Sequence, residues 1–333
     1  MKKLPFLILL LFAISCSTKE SKTHGTIEQL DPALAEIISP DAKVELLGEG
    51  FDWSEGPVWV ESQKMLLFTD VPKNIIHKWT EEKGVQVYLT PSGHTGPGPQ
   101  SEEPGANGLA LDDKDNLLLC QHGDRRVAMM NSSWDKPVPD YKTLADSYNG
   151  KKFNSPNDLV FYNDDIYFTD PPYGLLADSV KELPYQGVYK ATADGKVVLL
   201  IDSLTRPNGI AFSPDHRKMF IANSDPEKVR WYEYEMSDSG TVVSGKVFYD
   251  AQVESKTDNG MPDGLKVDTK GNIFASGPGG IWIFNAEGKA VGKIKLPNPT
   301  ANCALTQDDK TLYITSDMNL LRVRLKEISG KAK

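Results

Sequence analysis

Along most of the chain the apolar positions fall in short runs broken by Gly, Pro, Asn and Asp, and no long stripe at helical spacing appears. One phrase recurs: a turn, a polar residue often followed by glycine, an apolar run, a polar turn, then a second apolar run. It reads Ser54-Glu55-Gly56-Pro57-Val58-Trp59 leading to Met65–Asp70, then Ala106-Asn107-Gly108-Leu109 leading to Asn116–Cys120. The third and fourth copies are Pro156-Asn157-Asp158-Leu159 leading to Asp165–Asp170, and Pro207-Asn208-Gly209-Ile210 leading to Lys218–Ala222. The fifth and sixth are Pro262-Asp263-Gly264-Leu265 leading to Gly271–Ala275, and Ala301-Asn302-Cys303-Ala304 leading to Thr311–Thr315. Six copies at a spacing of about fifty residues match the blade period of a β-propeller, in which each blade is a four-stranded antiparallel sheet. The expected fold is therefore all-β, a six-bladed β-propeller over residues 44–328.

The N-terminus reads differently. Met1-Lys2-Lys3 precedes an apolar run, Leu4 to Ile14, too short for a stable span, and Ala13-Ile14-Ser15-Cys16 then gives way at once to polar residues. This predicts a signal peptide over 1–15 and, because the cleavage region resembles a bacterial lipobox, a lipidated Cys16. Residues 16–43 read as a tether with one short helix from Pro32 to Ile38, and the chain as an envelope protein held to the membrane through its lipid alone. A formal net charge of -9 argues against nucleic acid and offers no basic stripe to anionic lipid. Cys120 and Cys303 sit in apolar runs two blades apart around the ring and read as free, buried thiols.

In a propeller the first strand of each blade lines the axial channel, so the residue leading into it points toward one end of the axis. The six lead residues are Glu55, Asn107, Asn157, Asn208, Asp263 and Asn302. Asn and Asp also suit turns, but a turn role alone would admit Gly or Ser in some copies. Convergent carboxylate and amide oxygens, with no His or Cys among them, describe a site for one hard divalent cation. Calcium fits such donors first, with magnesium, manganese or zinc as alternatives. Glu55 and Asp263 together offset a 2+ charge.

Ser54-Glu55-Gly56-Pro57-Val58-Trp59, Pro207-Asn208-Gly209-Ile210-Ala211-Phe212-Ser213-Pro214-Asp215 and Met261-Pro262-Asp263-Gly264 resemble the motifs of the senescence marker protein/gluconolactonase family. Cys120-Gln121-His122-Gly123-Asp124-Arg125-Arg126-Val127 and Thr169-Asp170-Pro171-Pro172-Tyr173-Gly174 resemble its bacterial gluconolactonase branch. The resemblance implies metal ligation by Glu55, Asn157, Asn208 and Asp263, and hydrolysis of a sugar lactone to the aldonic acid. Asp263 is the candidate general base, since a ligand carboxylate can spare one oxygen for a proton. Asn107, His122 and Arg125 are candidate substrate contacts. No Gly-x-Ser-x-Gly elbow, phosphate loop or dinucleotide fingerprint is present. Two other readings share the scaffold, a phosphotriesterase-like hydrolase and a propeller that binds a ligand without turnover.

Overall fold

The structure, a computed structural model, describes residues 23–177 and 180–326. Six antiparallel sheets stand around one axis. Blade 1 runs outward through Ser54–Val60, Met65–Asp70, Ile75–Thr80 and Gly84–Leu89. Blade 2 comprises Ala106–Leu111, Leu117–Gln121, Arg126–Met130 and Tyr141–Ala145. Blade 3 comprises Leu159–Tyr162, Asp165–Asp170, Gly187–Ala191 and Val197–Ile201, and blade 4 Pro207–Phe212, Lys218–Asp225, Lys228–Met236 and Val242–Asp250. Blade 5 is built on Leu265–Val267, Ile273–Gly277, Gly280–Phe284 and Ala290–Lys295, and blade 6 on Asn302–Leu305, Thr311–Ser316 and Asn319–Arg324. The innermost strands touch in cyclic order, the sixth packing on the first.

The second strand of each blade is apolar on consecutive residues because both of its faces are covered, one by each neighbouring blade. Met65 and Leu67 pack toward blade 2, whereas Leu66 and Phe68 pack toward blade 6. Leu117 and Leu119 likewise face blade 1 while Leu118 and Cys120 face blade 3. The described core is therefore not one mass but six apolar clusters, one in each gap between blades. Cys120 and Cys303 are buried free thiols in blades 2 and 6, as expected.

The ring closes with residues from both ends of the described chain. Blade 6 takes its outer strand from Val44–Glu49, which pairs antiparallel with Asn319–Arg324. The stretch 16–43, read from the sequence as a tether, is corrected by its described part. Thr26–Gln29 adds a fifth strand to blade 5 by pairing with Ala290–Lys295. The short helix appears as a 3-10 turn over Pro32–Glu36, capped by Asp31, whose carboxylate accepts from Ala33 N at 2.9 Å. Leu34, Ile37 and Ile38 then insert into the cluster between blades 5 and 6. The folded unit thus begins at or before residue 23, while the signal peptide and Cys16 lie outside the described residues. Among those residues no helix is long and apolar enough to cross a membrane.

Leu34 is completely buried against Gly292, whereas Leu30, four residues earlier, is half exposed. Leu34→Ala should therefore lower unfolding stability by about 2–5 kcal/mol in urea titration. Leu30→Ala should shift it by less than about 0.5 kcal/mol. Equal, small effects at both positions would return this segment to the status of a loose tether.

Candidate active site at the axial mouth

The lead residues converge because the chain narrows to backbone at the axis. The residue after the lead is glycine in four blades, and the neighbouring blade leaves no room there for a side chain. A Cβ on Gly56 would lie 1.9 Å from Asn107 O, and one on Gly209 would lie 2.2 Å from Asp263 O. Hydroxyls on the second strands tie the blades together at this level. Thr69 Oγ1 donates to Asn107 O at 3.1 Å, Thr169 Oγ1 to Asn208 O at 2.7 Å and Ser224 Oγ to Pro262 O at 2.5 Å. Buried polar side chains on the same strands cap the incoming loops: Asp70 accepts from Asp52 N and Trp53 N, Asp170 from Asn154 N, and Asn223 from Arg206 N.

The result is a cavity of about 280 Å³ lined by Glu55, Asn107, Asn157, Asn208 and Asp263, five of the six lead residues. Asn302 sits beside it, its Nδ2 3.4 Å from Glu55 Oε2 and 3.5 Å from Asp158 Oδ2. Asp158 occupies the position that is glycine in the neighbouring blades, and its carboxylate is in turn 3.8 Å from Lys266 Nζ. Asp158, Lys266 and Asn302 together form a polar cluster next to Glu55.

Burial raises the Glu55 carboxyl to about 8, with the Asp158 charge adding to the shift. Burial, then the charges of Glu55, Asp158 and Glu103, holds Asp263 well above the ordinary carboxylate range. Two buried oxygens, Asn157 Oδ1 and Asp263 Oδ1, have no hydrogen-bond partner. Buried polar atoms of native proteins are nearly always satisfied, so this pair marks a place shaped for a group that accepts lone pairs. Among the described residues no three His, Cys, Asp or Glu side chains are grouped so that they alone could hold a metal ion. The donor set relies instead on asparagine amides, which suits a hard cation and disfavours a thiolate or imidazole site.

Two sequence-predicted substrate contacts fall elsewhere. Arg125, at φ 57°, does not line the cavity; its Nε donates to Phe153 O at 2.7 Å and its Nη1 to Val180 O at 3.3 Å. It fastens blade 2 to the loops of blade 3, a structural role imposed by bare carbonyls there. His122 is fully buried behind the cavity wall rather than in it. Asn107 is at the wall, as expected.

Other lining residues, Glu103, Tyr173, Arg206 and Trp53 among them, were not candidate site residues in the sequence. Arg206 directly precedes Pro207-Asn208-Gly209, so the repeat register itself pointed to the mouth. Glu103 and Tyr173 come from connections outside the repeat phrase. Burial, followed by the Asp263 charge, raises the Tyr173 hydroxyl. A larger cavity, about 590 Å³, opens at the other ends of the innermost strands, lined by residues such as Val58, Leu109, Phe161, Phe212 and Leu305. Its size does not make it the reaction centre, because the convergent unpaired oxygens are at the opposite mouth.

Fold and mouth together define a six-bladed propeller with an oxygen-donor site on its axis. Residues 53–318 match the SMP-30/Gluconolactonase/LRE-like region, and the chain belongs to that family. It is 38% identical over 314 residues to a gluconolactonase of Zymomonas mobilis, covering 91% of this chain and 87% of that one. It is 24% identical over 280 residues to regucalcin of Gallus gallus, covering 82% and 86%. A solved gluconolactonase from Xanthomonas campestris superposes with a TM-score of 0.78 at 30% identity, covering 90% of this chain and 95% of that one.

Proposed function

We propose that the chain is a metal-dependent hydrolase that opens a sugar lactone to the aldonic acid. The observation that carries this reading is the axial cluster of two carboxylates and three asparagines, with buried oxygens of Asn157 and Asp263 left unpaired. Its relationship to gluconolactonases supplies the substrate class. Glu55, Asn157, Asn208 and Asp263 would hold the ion, with calcium favoured by the all-oxygen, half-amide donor set. Bound there, a divalent cation supplies Lewis acidity toward the lactone carbonyl and charge balance for the two carboxylates.

The remaining work falls to this chain's own groups. Asp263 takes a proton from the attacking water, on the carboxylate oxygen that a bound ion would leave free. As the new C–O bond forms and the ring C–O bond breaks, the ring oxygen leaves as a hydroxyl that receives that proton. Arg206, the one cation among the lining residues, faces the carboxylate that results. Asn107 holds substrate rather than metal. The volume of the cavity is at the small end of ligand sites and suits a monosaccharide-sized molecule.

A lactone panel assayed before and after chelation, with calcium, magnesium, manganese and zinc restored separately, tests the whole reading. Asp263→Asn should lower kcat/KM by at least about 100-fold, the scale of losing a general base. Glu55→Gln should lose bound metal together with activity, and Asn107→Ala should weaken turnover while metal stays. Full lactonase activity and full metal content in Asp263→Asn would leave a binding propeller as the better description.

Protonation supplies a second test. Glu55 is raised in the folded, metal-free chain, so its stabilising contribution is complete below its ordinary pKa of 4.5 and is lost as pH climbs through about 8. The chelated protein should therefore lose thermal stability across that window. Added calcium must displace those protons, so the gap in Tm between loaded and chelated protein should widen with pH. A gap that is constant or narrows toward pH 8 contradicts the assignment.

We further propose that Cys16 carries lipid and holds the enzyme at the cell envelope. Six residues lie between Cys16 and Thr23, the first described residue, so the seven steps along the chain reach at most about 25 Å. Cys16→Ser should release the protein from membranes with its lactonase activity intact. Intact-mass measurement of a mature chain without lipid at Cys16 would remove the anchor.

A further inference from the structure

Glu103 is the one carboxylate lining the cavity that does not lead an innermost strand. It arrives on the Gly- and Pro-rich stretch 91–105, which crosses from blade 1 to blade 2 and is clamped at both ends. At the first end Asn74 Oδ1 accepts from Ser92 N at 2.9 Å and Gly93 N at 2.7 Å, and Gln121 Nε2 donates to Ser92 O at 2.7 Å. At the second, Gly105 N donates to Val71 O at 2.9 Å and Gly123 N donates to Pro104 O at 3.2 Å. Glu103 thus stands next to a fixed point of the backbone.

Behind it lies His122. The ring is fully buried, yet neither nitrogen has a hydrogen-bond partner among the described residues. Nδ1 lies 3.5 Å from Glu103 Oε2, and a small rotation of either side chain would join them. The ring has no room to retreat, since a Cβ on Gly174 would fall 2.4 Å from His122 Cβ and 3.0 Å from Nδ1. Gly174 follows Tyr173, another cavity residue, so the imidazole is wedged between two parts of the same wall. A buried imidazole left unsatisfied is costly, and the acceptor within reach is the Glu103 carboxylate.

Glu103 differs from Glu55 in that its side chain keeps about a third of its surface in water, whereas Glu55 is buried at the axis, and it differs from Asp263, whose Oδ1 is closed off from solvent. An ionised carboxylate is acceptor-only, and the groups that distinguish a sugar lactone from a plain lactone are hydroxyl donors. We propose that Glu103 is a specificity-determining residue that accepts hydrogen bonds from the lactone's ring hydroxyls, and that His122 is the positioning residue that aims it. This rests on the lactonase reading of the same cavity.

The test compares a gluconolactone with analogues each lacking one hydroxyl, using the mature full-length chain with calcium. In the unaltered protein at least one analogue should be opened roughly 10- to 100-fold less efficiently than the parent, the scale of a hydrogen bond to a charged group. In Glu103→Gln that discrimination should collapse through KM, with kcat on the analogue and bound calcium unchanged. His122→Gln should reduce the same discrimination partially, and Gly174→Ala, which drives the ring from its seat, should resemble it. Uniform loss on every analogue would make Glu103 a base, and loss of calcium would make it a ligand; either overturns the proposal, as does unchanged discrimination. If the unaltered protein opens no lactone, the activity reading fails separately. Calorimetric binding of gluconate then decides: weaker binding by Glu103→Gln keeps the hydroxyl-reading role, and equal binding ends it.

Discussion

Six innermost strands must approach one axis until backbone meets backbone, and most of the structure follows from that crowding. Glycine after the lead residue is the local solution, as the absence of room beside Gly56, Gly108, Gly209 and Gly264 shows. The same approach forces the lead side chains into one small volume. Where those side chains are carboxylates, burial and mutual repulsion raise their pKa values, and the folded chain carries an electrostatic cost that a divalent cation would relieve. Geometry that closes the ring is therefore also geometry that concentrates the negative charge.

The blade repeat was legible because propeller strands bury both faces and leave a period that survives sequence drift. Consecutive apolar residues such as Leu66-Leu67-Phe68 announce a strand with a neighbour on each side. Lead residues were legible for a related reason: each is fixed in register by the glycine or its substitute that follows. Thr26–Gln29 was not legible, because an added outer strand has one face to solvent and three of its four residues exposed. Its attachment depends on free backbone groups of Ala290–Lys295, which sequence patterning does not display. The position of Arg125 was not legible either, since nothing in the sequence displays the carbonyls of Phe153 and Asn154 to which its Nε donates.

The two ends of the channel divide the physical tasks. At the far end, apolar side chains such as Phe161 and Phe212 line an open funnel. At the mouth, second-strand hydroxyls and acids satisfy the loop backbone, and two lead oxygens, Asn157 Oδ1 and Asp263 Oδ1, stay unpaired. Asp158 departs from the glycine rule and places a carboxylate near the middle of this division. Its neighbours Asn302 and Lys266 provide a donor and a cation, so a third buried acid is accommodated. Glu55 retains a donor of its own from Gly56 N at 2.8 Å.

On the proposed reading such an axis would supply affinity for an ion but little information about which lactone is bound, since the lead residues converge wherever the ring closes. Selectivity has to come from the connections that closure leaves unconstrained. The segments delivering Glu103, Tyr173 and Arg206 are of that kind, joined to the blades by hydrogen bonds at their bases and unconstrained by the repeat between them. Substitutions in these connections leave the ring and its carboxylates as they are, whereas the glycines after the lead residues cannot gain a side chain without opening the axis. Closure of the ring thus fixes the glycines at the axis, and the connections outside the repeat are the part of the mouth that closure does not reach.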